Sequence, residues 1–99
     1  MGEKAEIVIE REDGPSGGAY RTRIEGHQAE MTFSRAGEHM IIIDHTEVPE
    51  QLRGRSVGNA LVARAVADAR RGGFKIFPLC PFAAAQFRRH SEYQDVLSR

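Results

Sequence analysis

The residues Arg53-Gly54-Arg55-Ser56-Val57-Gly58-Asn59 combine groups that hold phosphate oxygens. Two guanidiniums offer forked, permanently charged donors. Two glycines remove Cβ atoms where a ligand backbone or a phosphate would come close. The segment also opens a helix, because Val57, Leu61, Val62, Ala65, Val66 and Ala69 recur at helical spacing. A helix N-terminus presents unpaired N–H groups and the positive end of the macrodipole. Together these make a candidate pyrophosphate cradle. The plain alternative is an ordinary strand-to-helix turn with solvated arginines, which looks the same locally.

R-G-R-S-V-G resembles the acyl-coenzyme-A loop of GNAT-superfamily N-acetyltransferases, whose pattern is Q/R-x-x-G-x-G/A. Arg53 opens the motif, Gly58 closes it, and Ser56 stands where the middle glycine usually sits. The Ser56 hydroxyl could donate to a phosphate or cap the helix. D-H-T-E-V-P before the loop, and P-L-C-P-F and R-R-H-S-E-Y after it, are similar to small single-domain GNAT-like proteins of about this length. The resemblance spans roughly residues 20 to 97. It implies a minimal GNAT-like α+β fold, with a mixed, mostly antiparallel central sheet flanked by helices. It places the ligand where the fourth strand and the next parallel strand splay apart. It also implies acetyl-CoA as co-substrate and an amine as acceptor. Carried over, the coenzyme A side comprises Arg53, Gly54, Arg55, Ser56, Val57, Gly58 and Asn59. Val48 would lie at the thioester, with Phe82 and Arg88 from the following helix.

Attack of an amine on a thioester needs a neutral amine, a polarised carbonyl and a protonated leaving group. Asp44, His45 and Glu47 lie on or beside the strand that enters the loop, and strict alternation puts His45 and Glu47 on one face and Asp44 on the other. An imidazole can take up a proton near neutral pH, and a carboxylate could act through a water, so His45 and Glu47 are the candidate bases. The competing reading is polar strand-end residues satisfied by the backbone. Cys80 sits between a buried strand and a helix N-terminus, where the dipole and Arg88 or Arg89 would favour a thiolate. In many GNAT enzymes an asparagine at the comparable place precedes, by seven residues, a tyrosine that protonates the departing thiolate. Here the corresponding residue is Phe87, which has no proton to give. The small relatives share Pro-x-Cys-Pro, and a role for the cysteine is suspected among them. Cys80 is therefore transiently acylated, lines the thioester pocket, or is an inert buried thiol. Tyr93 either donates a proton to the thiol or packs. Arg88 and Arg89 either hold phosphates or satisfy their helix's C-terminus.

The elements that position these residues follow from local signals. Ile7-Val8-Ile9 reads as an edge strand, or as part of an arm over residues 1 to 18 that docks only partly; Asp13 to Gly18 is turn chemistry. Tyr20, Thr22 and Ile24 alternate with polar neighbours, as do Ala29, Met31 and Phe33, with turns at Gly26-His27 and at Arg35-Ala36-Gly37. Met40 to Ile43 is apolar on both faces, as in a strand covered on both sides. These three strands form an antiparallel meander with the third central. Pro49 ends that strand, and Gly72-Gly73 stops the helix after Arg70 and Arg71. Phe74 to Leu79 is a short buried strand, parallel to its neighbour because a helix connects them. Phe82 to His90 is a second helix, and Ser91 with Gln94 fits a capping box for a last short one.

Composition narrows the function classes. The 99 residues make one domain, and an apolar fraction of 40% suits a packed core. Acidic and basic residues number 14 each, so no global charge draws nucleic acid or an anionic membrane. No apolar run approaches the ~20 residues of a membrane span. One cysteine excludes an internal disulfide, and four scattered histidines show no metal spacing, so no metal is expected. A cytoplasmic monomer or homodimer is the expectation. The functional expectation is acetyl transfer to an amine of a protein, peptide or small molecule. The alternative is a non-catalytic acyl-CoA-binding module. Nucleic-acid binding through Arg53, Arg55, Arg70, Arg71, Arg88 and Arg89 is disfavoured by the neutral charge and the few aromatics.

Overall fold

The computed structural model of the chain describes residues 7–98. Five strands form one sheet in sequence order: β1 (Glu10–Asp13), β2 (Gly17–Ile24), β3 (His27–Arg35), β4 (Met40–Glu47) and β5 (Lys75–Pro78). β1 to β4 are antiparallel, and β5 joins β4 in parallel. The crossover is α1 (Val57–Gly72), reached through a 3-10 turn at Glu50–Leu52; α2 (Pro81–Arg89) and a 3-10 helix (Ser91–Val96) follow β5. In the sheet order β3 is central, and the third strand of the expected meander, β4, lies between β3 and β5.

The first strand forms later than the apolar run suggested. Gly17 and Gly18 are the reason, since a Cβ on Gly18 would lie 2.2 Å from Glu12 O and one on Gly17 2.3 Å from Phe33 O. Only a bare backbone admits β1 and β3 this closely, so pairing centres on Asp13↔Gly18 and Glu12↔Ala19. Ile7 and Ile9 pack against the core instead, and Thr22 Oγ1 donates to Val8 O at 2.7 Å. The arm is thus docked over its described part.

The inward residues Tyr20, Ala29, Met31, Phe33, Ile41, Ile43 and Ile76 meet Leu61, Val62, Ala65, Val66 and Ala69 of α1 and Ala83 and Phe87 of α2 in one core. The other face is less covered than Met40 to Ile43 led us to expect. Met40 and Ile42 are half-buried, and Phe77, beside Ile42, is 42% exposed. α1 ends as its sequence signals: Gly73 takes φ +73°, and its N–H donates to Ala69 O. The capping box does not form. His90 occupies the N-cap position, Ser91 starts the 3-10 helix, and Gln94 Nε2 donates to Phe87 O at 3.1 Å.

One irregularity matters most for function. Thr32 pairs with His45 but Phe33 with Ile43, so Asp44 is an unpaired bulge residue, held by Ser34 Oγ at 2.6 Å. The bulge reverses the alternation. Before it, odd-numbered residues face the helices; after it, Thr46, opposite core residue Met31, does so.

Candidate functional site

The β4–β5 ladder ends at Ile43↔Pro78, and Cys80 N–H donates to Ile43 O at 3.0 Å as the chain leaves the sheet. β4 runs on beside β3 alone. A groove of ≈ 540 Å³ opens there. Thr46 and Val48 line it from the strand, Arg53, Gly54 and Ser56 from the loop, Val57, Gly58 and Asn59 from the first turn of α1, and Phe82, Gln86 and Arg89 from α2.

The loop is shaped by two left-handed residues, Gly54 (φ +80°) and Ser56 (φ +62°). Position 56 therefore favours glycine for conformation, which serine tolerates at a cost of about 1 kcal/mol or more. The Ser56 side chain makes no cap bond, so the first turn of α1 carries no side-chain cap. Neither glycine makes room in the way the loop alone suggested. A Cβ on Gly54 would meet nothing within 4 Å, so its need is the positive φ. A Cβ on Gly58 would lie 2.6 Å from Phe82 Cζ, so Gly58 seats the aromatic ring that forms the groove wall.

The charges at the groove are Arg53 and Arg89, and neither makes an ion pair among the described residues. Arg55 is turned to Glu25 at 3.0 Å and is absent from the wall. Arg88 is exposed and also off the wall; Arg89 takes its place, because Phe82, Gln86 and Arg89 recur at helical spacing on one side of α2. That spacing was a usable signal, overlooked beside the adjacent arginines. Gln86 is 4% exposed, and its Oε1 is buried with no hydrogen-bond partner among the described residues. A buried carbonyl without a donor is costly.

Of the candidate catalytic residues, the structure brings none onto the wall. His45 and Glu47 pair with Thr32 and Glu30 on the sheet face opposite the core, and both are exposed. Cys80, 5% exposed, is the N-cap of α2: its Sγ accepts from Ala83 N at 3.4 Å. The second contact of Sγ is Thr46 Oγ1, also at 3.4 Å, and Thr46 does line the groove. Sequence reasoning missed Thr46 because nothing local announces the bulge that turns it inward. Tyr93 meets Phe87 edge-on and His90 at a tilt, off the groove wall, and burial followed by the Glu92 charge raises its hydroxyl pKa. Phe87 is buried in the core. Among the described residues, no group of three His, Cys, Asp or Glu is placed to hold a metal, and no helix is long and apolar enough to cross a membrane.

The GCN5-related N-acetyl-transferase family model matches residues 19–96. The chain belongs to this family. The groove thus lies on a GCN5-related N-acetyltransferase scaffold, at the splay of two parallel strands. A solution structure of a GCN5-like candidate N-acetyltransferase from Staphylococcus aureus is 30% identical, with a TM-score of 0.70 over 90% of this chain and 87% of that one. An IAA acetyltransferase from Bacillus cereus shares the fold at 18% identity, with a TM-score of 0.64 over 85% of this chain and 75% of that one. No curated protein matches the chain.

Proposed function

We propose that this GCN5-related protein is an acetyl-CoA-dependent N-acetyltransferase. One observation carries the reading: the side-chain-uncapped N-terminus of α1 opens onto a groove that runs beside β4 beyond the last β4–β5 pair. The N–H groups of the Ser56–Asn59 turn suit a pyrophosphate, with Arg53 and Arg89 on either side. Turned outward from its buried place in the wall, the Gln86 carbonyl would suit an amide N–H of a pantetheine arm. Val48 and Thr46 then flank the thioester, which supplies an activated acyl group. Arg55, paired with Glu25, and Arg88 are off the wall and are left out of this reading.

The acceptor amine approaches from the open sheet face, where Glu30, His45 and Glu47 cluster. His45 or Glu47 would take the amine proton there, through water. A face with exposed Phe77 and half-buried Ile42 suits a protein or peptide amine, or completion by a second subunit. Burial of Cys80 behind Thr46 favours direct transfer over an acetyl-cysteine. The second reading is a non-catalytic acyl-CoA-binding module, favoured by the absence of Cys80, His45 and Glu47 from the groove wall.

The test is calorimetric titration with acetyl-CoA and with free coenzyme A, then intact mass and an amine screen. Binding with acetylated amine and an unmodified protein mass is the expected result. An adduct lost in Cys80→Ala would establish the acetyl-cysteine route instead. Binding without transfer to any amine leaves the module, and absence of binding overturns the proposal.

A further inference from the structure

We infer that Thr46 protonates the departing thiolate and draws the proton from Cys80. The inference rests on the proposed acetyl transfer and adds a residue to it. The groove wall contains no carboxylate, imidazole or phenol among the described residues. Its arginines do not release protons at working pH. Two hydroxyls remain. Ser56 belongs to the exposed turn at the N-terminus of α1, where the pyrophosphate would sit. Thr46 lies at the other end of the groove, beside Val48 and the splay.

A hydroxyl alone is a poor acid, but the one on Thr46 is 3.4 Å from a thiol. A hydroxyl accepts and donates at once, and a thiol donates weakly and accepts weakly. The geometry is complete if Cys80 S–H donates to Thr46 Oγ1, Ala83 N–H donates to Sγ, and the Thr46 O–H points into the groove.

The step balances. The amine nitrogen bonds to the acyl carbon, the C–S bond breaks, and its electron pair stays on the leaving sulfur. Thr46 gives that sulfur its hydroxyl proton and receives the Cys80 proton. Cys80 keeps the S–H pair as a thiolate, stabilised by Ala83 N–H and by the N-terminus of α2. The proton lost by the acetylated amine leaves through water by way of His45 or Glu47 to solvent, and a proton from solvent restores the Cys80 thiol.

The chain has one cysteine, so its S–H stretching band in the infrared belongs to Cys80 alone. That band is recorded for wild type, Thr46→Val and Thr46→Ser, without ligand. Coenzyme A affinity and thiol release from acetyl-CoA with a lysine peptide and a polyamine are measured on the same proteins, with Cys80→Ala and the double variant. Thr46→Val should shift the band to that of an unbonded thiol, keep coenzyme A affinity within about twofold, and slow release about a hundredfold or more. Thr46→Ser should restore band and rate. The double variant should be no slower than either single one, because both break one relay. An unmoved band, an active Thr46→Val, or additive losses overturn the inference. Coenzyme A binding without thiol release by wild type overturns it too but leaves the coenzyme A site standing; no binding at all overturns both.

Discussion

The two ends of α1 solve opposite problems. Toward its C-terminus, Asp68 is 5% exposed yet fully engaged. It accepts from Tyr20 OH at 2.8 Å, Arg11 Nη1 at 3.0 Å and Arg64 Nε at 3.2 Å, and from Arg71. Arg11 also lies 5.5 Å from the Phe33 ring centroid and 5.6 Å from that of Tyr20, so β1, β2, β3 and α1 are clamped at one carboxylate. At the N-terminus, among the described residues, the Ser56 side chain caps nothing, Arg53 and Arg89 lack carboxylates, and Gln86 Oε1 lacks a donor. A polar network that satisfies itself holds the fold, whereas one left unsatisfied keeps its binding energy for a ligand.

The contrast is sharpest at Asp68. Asp68→Asn should cost about 2–4 kcal/mol, because it weakens the acceptor shared by the buried Tyr20 hydroxyl and the guanidiniums, and leave coenzyme A affinity unchanged in the folded protein; urea unfolding and calorimetry check this. Burial alone would raise the Asp68 carboxyl pKa, but the hydrogen bonds from Tyr20, Arg11 and Arg64 overcome it and hold it below its usual range. A depressed folded pKa means the unfolded state binds the proton more readily. The stabilisation is therefore present above the ordinary carboxylate pKa of about 4 and is lost as pH falls through the folded value. Asp68→Asn should flatten the acid limb of the stability profile. An equal loss of coenzyme A binding would merge the two ends into one unit.

Gly58→Ala should act in the reverse sense. Its Cβ drives the Phe82 ring into the groove, and coenzyme A affinity should fall about tenfold, roughly 1.4 kcal/mol, with little change in unfolding. Phe82→Ala in that background should return part of the affinity. A smaller effect is expected of Gln86→Leu. Removing an unpaired buried carbonyl should raise stability by about 1 kcal/mol while weakening coenzyme A several-fold. If stability falls instead, the carbonyl has a partner in solution. Smallest is Ser56→Gly, which relieves a left-handed serine and should gain about 0.5–1 kcal/mol in thermal unfolding, with affinity held.

Much of this chain was legible before its fold. The Arg53–Asn59 loop, the Gly72-Gly73 stop and the end of β4 before Pro49 are written in contiguous residues, because turn conformations, caps and a 3.6-residue period are local physics. The loop with its flanking segments was enough for the family. What the loop does with its groups was not legible. Gly58 faces an aromatic ring from another helix, and Arg55 faces Glu25, thirty positions earlier. Most of all, the bulge at Asp44 exchanges His45 and Glu47 for Thr46 at the groove. A strand's alternation is local, but a slip of one residue is set by the strand it pairs with, and it reverses every side chain beyond it. The turns, stops and element order were thus determined in sequence, whereas the clamp at Asp68 and the residues that face the ligand were chosen by pairing and packing across the molecule.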